Sequence, residues 1–157
     1  MMSHLFGELK RIYLCSGVGK GKTSLNAFDS ALISAGVGNY NLLKVSSIVP
    51  PNVEIVNKIE LKPGSLLPIA YGYLISNENG KVISSAVSIA IPKNKNNIGV
   101  IMEVSGYFEE NKIREIAYNM ALEAMDLRNI EIDFIEVKSI SAIVEGWTCV
   151  FSGVAIF

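Results

Sequence analysis

Apolar residues along this chain fall into short runs punctuated by Gly, Pro and Asn, and the period of each run predicts its element. Residues 11–16 read as a strand, and a glycine-rich turn leads into a helix over 24–35. There Leu25, Phe28, Leu32 and Ala35 recur at helical spacing and Gly36 supplies a stop. Residues 42–49 form a second apolar strand, ended by Pro50-Pro51, which lack the N–H groups to continue a ladder. After a loop containing Pro63-Gly64, residues 69–76 and 81–91 flank Asn77-Glu78-Asn79-Gly80 and predict an antiparallel hairpin. Residues 98–104 read as a strand. Ile113, Ile116, Ala117, Met120, Ala121 and Ala124 mark an amphipathic helix between 109 and 128, with Glu115 and Glu123 on its wet side. Two more strands are expected at 132–140 and 148–157.

About seven strands and two helices, with no repeat and no low-complexity linker, predict an α/β sandwich in a single domain over 1–157. A chain of 157 residues can bury a real core. Hydrophobic residues make up 50% and mean hydropathy is +0.35, yet no run approaches the roughly 18 uncharged apolar residues of a membrane span. The surplus apolar surface is expected between subunits. A net charge of -1, without a basic cluster, argues against nucleic acid as a partner. The N-terminus lacks a signal-peptide layout, so a cytoplasmic location is expected.

The available chemistry is narrow. Cys15 and Cys149 lie far apart in apolar runs and read as buried free thiols, and the single histidine is His4. Ser-His-Asp and Cys-His catalysis and His-based metal sites are thereby excluded, leaving carboxylates, hydroxyls and backbone. Gly17-Val18-Gly19-Lys20-Gly21-Lys22-Thr23 imitates a phosphate-binding loop, but the full pattern needs glycine at Ser16, and no later strand ends in an acid suited to Mg²⁺. The other reading of these glycines is a tight bend between strand and helix. Asp29 shares a helical face with Leu25 and Leu32. It either borders the wet edge of the apolar stripe or sits in a pocket that receives a cation such as a guanidinium. Glu103 interrupts an apolar strand, where it either points to solvent or is buried with a raised pKa fit to deliver a proton. Asn41 can be an ordinary turn residue. Ser46-Ser47 ends the second strand, and Ser84-Ser85 repeats the dipeptide where nothing suggests special chemistry.

Five ordered islands place these residues in context. They are 16–42, with Ser16-Gly17-Val18-Gly19-Lys20-Gly21-Lys22-Thr23; Val45-Ser46-Ser47-Ile48-Val49-Pro50-Pro51; Ala70-Tyr71-Gly72-Tyr73; Ser88-Ile89-Ala90-Ile91-Pro92; and Gly99-Val100-Ile101-Met102-Glu103. In this order they resemble the pyruvoyl-dependent arginine decarboxylases. The resemblance implies a four-layer αββα sandwich with largely antiparallel sheets, assembled as homotrimers or dimers of trimers. It implies self-cleavage between Ser46 and Ser47 into a β chain (1–46) and an α chain (47–157), with a pyruvoyl group, the only cofactor, derived from Ser47. It further implies that Glu103 protonates the carbon left by CO₂ and that Asn41 supports self-processing through the Ser46 carbonyl. The substrate arginine would be held by Asp29, Leu25, Leu32 and Ile48 and converted to agmatine for polyamine synthesis. The competing expectations are a P-loop nucleotide binder and a relative that keeps the fold without processing.

Overall fold

The computed structural model describes residues 7–157, so His4 lies outside the described residues. Its elements run β1 (Arg11–Gly21), α1 (Ser24–Ser34), β2 (Asn41–Lys44), β3 (Ile48–Val49), β4 (Glu54–Ile55), β5 (Leu66–Ser76), β6 (Val82–Pro92), β7 (Gly99–Gly106), α2 (Glu110–Asp126), β8 (Ile132–Ile143) and β9 (Trp147–Ile156). One sheet has the order β2-β5-β9-β1-β4 and the other β3-β7-β6-β8. Most neighbours are antiparallel; β1 with β4 and β2 with β5 are the parallel pairs.

Side-chain alternation stacks these elements in four layers. From the first sheet Ile12, Leu14, Ala70, Val154 and Ile156 point inward to meet Val87, Ile89, Ile91 and Ile101 of the second. On the outer face of the first sheet Cys15, Ile69, Phe151 and Ala155 pack on Ala27 and Ala31 of α1 and on Ala35 at its C-cap. Ala121 and Met125 of α2 pack on Ala90 and Val100, and Ile113 and Ala117 pack on Ala86. The expected αββα sandwich is therefore present, and β6, covered on both faces, is buried along nearly its whole length.

Four local expectations need correction. The glycine run is strand, not turn: β1 continues to Gly21, and its partners on β9 run from Phe151 opposite Gly17 to Trp147 opposite Gly21. The glycines are there because α1 lies directly on the strand backbone. A Cβ on Gly19 would overlap Ala31 N and Ala27 O, and one on Gly21 would stand 2.6 Å from Ala27 N. Gly19→Ala is accordingly expected to destabilise the fold by about 1–3 kcal/mol or more, read from the urea midpoint, because neither backbone can yield cheaply. Second, the α1 face that packs on the sheet is Ala27, Ala31 and Ala35, with Phe28 and Leu32 half-buried beside it. Leu25 is 72% exposed and does not belong to the stripe. Alanines satisfy the close approach that the glycines permit, and leucines do not.

Third, β5 and β6 form no hairpin. The turn at Asn79-Gly80 exists, with Gly80 at φ +85, but it carries the chain from one sheet to the other. Each strand already has two partners, β2 and β9 for β5, β7 and β8 for β6, so the two meet face to face across the core. Fourth, residues 42–49 are not one strand but two, β2 and β3, in different sheets.

Candidate active site

The break between β2 and β3 is where the serine pair lies. β2 follows β5 in register, and the Val45 N–H still donates to Ile69 O at 3.1 Å. Two residues later the chain has joined the other sheet, with the Ser47 carbonyl accepting from Ile101 N–H at 2.8 Å and Ile48 and Val49 opposite Val100 and Gly99. β2 and β3 are edge strands of their sheets, so the crossover runs along one open side of the sandwich. Ser46 is exposed there and Ser47 half-buried.

The same register brings the candidate acid close. The Ile101–Ser47 bond extends the β3–β7 ladder by one pair, and Ile101, in the inter-sheet core, lies on the same face as Glu103 two residues on. Ser47 and Glu103 are therefore diagonal neighbours, about 7–8 Å apart between Cα atoms in ordinary sheet geometry. Glu103 pairs across β6 with Val87, another residue of the inter-sheet core, so the carboxyl enters the sandwich instead of facing solvent.

Its surroundings favour the neutral acid. Glu103 Oε2 is buried with no hydrogen-bond partner. Burial raises the pKa, opposed by the positive charge of Lys44, whose Nζ lies 4.7 Å from the centre of the Tyr71 ring. Beyond Glu103 on the same strand, Ser105 Oγ donates to Ser85 Oγ at 2.8 Å. Ser85 stands 2.5 Å from Ser152 Oγ and 3.4 Å from Gly72 O, joining the two sheets by hydroxyls. A half-buried carboxylic acid at the mouth of a water-poor core can hold a proton and give it to a carbon placed beside it.

The remaining candidates are distributed less simply. Asn41 lies at the far end of β2 from the serines, as much as about 16 Å along an extended backbone. Its Nδ2 donates to Gly64 O at 2.9 Å, so within one chain it ties down the 62–65 loop. Asp29 is exposed on the outer side of α1, one turn from Leu25 and one from Ile33, both exposed as well. Leu32 is half-buried against the sheet, and Ile48 is 38% exposed beside Ser47. A single chain thus unites Ser46, Ser47, Ile48 and Glu103 and leaves Asp29, Leu25 and Asn41 on outward surfaces. The pattern reading missed Lys44, Gly72, Ser85, Ser105 and Ser152. The available signal was the serines recurring at inward positions of strands, where apolar residues are expected. Ser84 of the neighbouring pair faces the other way, donating to Phe108 O at 2.8 Å.

The phosphate-loop expectation fails on geometry. Gly17 to Gly21 are laddered to β9, Thr23 Oγ1 caps α1 by accepting from Asn26 N–H at 3.1 Å, and Lys20 pairs with Glu145 at 2.8 Å. Along this extended backbone the N–H groups alternate between the two sides of the strand and do not converge to cradle an anion. Trp147 and Tyr71 pack against the outer face of the first sheet, and Tyr73, 45% exposed, lays its ring against Phe28 beside them.

Residues 11–157 match the family model described as pyruvoyl-dependent arginine decarboxylase. The chain belongs to the pyruvoyl-dependent arginine decarboxylase family. Among curated relatives, the pyruvoyl-dependent arginine decarboxylase of Methanocaldococcus jannaschii is 42% identical over 146 residues, 93% of this chain and 88% of that one. That of Thermococcus kodakarensis is 39% identical over 131 residues, 83% of each chain. Among solved structures, a pyruvoyl-dependent histidine decarboxylase superposes with a TM-score of 0.50 at 14% identity, covering 64% of this chain and 54% of that one. At that identity the likeness concerns the fold. The cofactor of this family is a pyruvoyl group, and the residues fit it: a serine follows a serine at the crossover, with an unpartnered buried carboxyl oxygen on the adjoining strand. Among the described residues no helix is long and apolar enough to cross a membrane.

Proposed function

We propose that this chain decarboxylates L-arginine to agmatine and CO₂ with a pyruvoyl group made from its own Ser47. The observation that carries the reading is the placing of Glu103, its Oε2 buried and unpartnered, one diagonal step from Ser47. In processing, Ser47 Oγ attacks the Ser46 carbonyl carbon and the C–N bond between the two residues breaks, leaving an ester. β-Elimination releases the Ser46 carboxylate, and water then replaces the nitrogen, which departs as ammonia. The pieces 1–46 and 47–157 stay together because ten residue pairs of β1 with β9 and four of β2 with β5 cross the cut.

The pyruvoyl group supplies an electrophilic carbonyl, the electron sink for loss of CO₂. Glu103 supplies the proton that the carbon then takes up. Asp29 pairs with the guanidinium, and because it stands outward between exposed Leu25 and Ile33, it does so in a pocket closed by a second copy of the chain. Leu25, Leu32 and Ile48 wall that pocket, and Asn41 reaches a Ser46 carbonyl only across the same interface. The working form is thus a homotrimer or a dimer of trimers, acting in the cytoplasm.

The direct test is CO₂ release by processed protein across a panel of amino acids. Arginine should exceed lysine, ornithine, histidine and the acidic amino acids, and faster turnover of any of these would overturn the substrate assignment. Asp29→Asn should still process and fold but bind arginine more weakly, by about 2–5 kcal/mol, because an amide cannot neutralise a desolvated guanidinium. An unchanged KM would remove Asp29 from the pocket.

A further inference from the structure

Gly72 stands in the middle of β5, where glycine weakens a strand by loss of packing and by backbone entropy. Its φ is not among the positive values, so the backbone there suits any residue and only the space around it calls for glycine. What fills that space is the acid. A Cβ at Gly72 would lie 3.3 Å from Glu103 Cγ, 3.4 Å from Glu103 Cβ and 3.4 Å from Ser105 Oγ. The flanking Tyr71 and Tyr73 point to the other side of the sheet, toward Phe28 and Phe151. The Gly72 carbonyl is within 3.4 Å of Ser85 Oγ, which belongs to the hydroxyl chain Ser105–Ser85–Ser152. This stretch of β5 is thereby tied to β6 and, through Ser85, to Ser105 of β7 and Ser152 of β9.

We infer that Gly72 is a positioning residue for Glu103: its missing side chain leaves the gap between the sheets in which the acid's stem lies, and the serine chain holds the walls of that gap. The inference rests on the proton-donor role proposed for Glu103. A glutamate stem laid across a bare backbone is limited to few rotamers, which aims the carboxyl along the sandwich toward the crossover at Ser47. Gly72 touches neither substrate nor reacting atoms, so its effect must pass through Glu103.

The experiment is a double-mutant cycle on processed protein, its pyruvoyl content measured by borohydride trapping with an amine. Gly72→Ala adds a methyl that displaces the acid by a few tenths of an ångström. It should lower kcat for arginine roughly tenfold, given that a misplacement of about 1 Å costs about a hundredfold, with KM unchanged. Glu103→Ala removes the Cγ that an added methyl would crowd, so Gly72→Ala introduced in that background should cost little of the residual turnover. Wild-type kcat in Gly72→Ala, or the same fractional loss in both backgrounds, would overturn the inference. If Gly72→Ala alone does not fold, folding restored by adding Glu103→Ala supports it and failure of both variants overturns it. Failure of the underlying reading shows elsewhere: processed Glu103→Gln would turn arginine over at the wild-type rate whatever Gly72 does.

Discussion

Ser47→Ala should yield one uncut chain of 157 residues that releases no CO₂ from arginine, where the wild-type protein yields two pieces meeting at 46/47. The loss is total because the same atom serves twice. Ser47 Oγ is the nucleophile that converts the amide to an ester, and Ser47 is the residue whose Cα becomes the electrophilic carbonyl. Ser46→Ala should still be processed, since only the carbonyl of residue 46 takes part. The larger wild-type piece should resist N-terminal sequencing, beginning with a ketone in place of an amine. Denaturing intact-mass measurement reads all of this. A wild-type chain that stays whole after prolonged warming and nevertheless decarboxylates would end the self-processing account. A whole and inactive one would make the protein a relative that keeps the fold without the reaction. The variant should otherwise fold normally, because the backbone contact that seats Ser47, its carbonyl accepting from Ile101 N–H, survives the change.

Glu103→Gln carries the second-largest effect, a loss of turnover of roughly 10²–10⁴-fold, the usual scale for a positioned acid. Glutamine keeps the volume and the amide can still hydrogen-bond, so the change isolates the transferable proton. Processing should survive, since it uses Ser47 as nucleophile, and the comparison is made per trapped pyruvoyl group. The pH dependence has a definite sign. Burial holds the Glu103 pKa above the ordinary carboxylate value, against the pull of Lys44. The proton-bearing form therefore persists to higher pH than in an exposed glutamate. Wild-type kcat should fall as pH rises through that raised pKa, and the fall should be missing in Glu103→Gln. Stability follows the same sign. An acid whose folded pKa is raised contributes stability that is full below its unfolded pKa and lost as pH rises through the folded one. Turnover at the wild-type rate across the pH range in a fully processed Glu103→Gln sample would show that another group delivers the proton.

Much of the site was readable along the chain because its parts are local. Ser46-Ser47 before Pro50-Pro51 is a contiguous motif, and Glu103 stands out as one carboxylate in an apolar run. That Glu103 faces inward follows from strand alternation, once Ile101 is known to be core. Neither its distance from Ser47 nor its unpartnered oxygen could be read there, since both depend on β3 pairing with β7, about fifty residues away in sequence.

The sequence by itself determined most of the longer elements, the two helices, the absence of histidine chemistry among residues 5–157, and the ordered motifs that mark the family. These depend on neighbours within a few residues, where period and turn chemistry act directly. The tertiary structure alone decided which strands pair, and it overruled local signals wherever a partner elsewhere was stronger. The Asn79-Gly80 turn, a hairpin signal, became a passage between sheets because β9 and β7 claimed the two flanking strands. The glycines of β1 became a seat for α1, and the glycine of β5 a seat for Glu103, because a missing side chain has meaning only against the atoms that come to occupy its space.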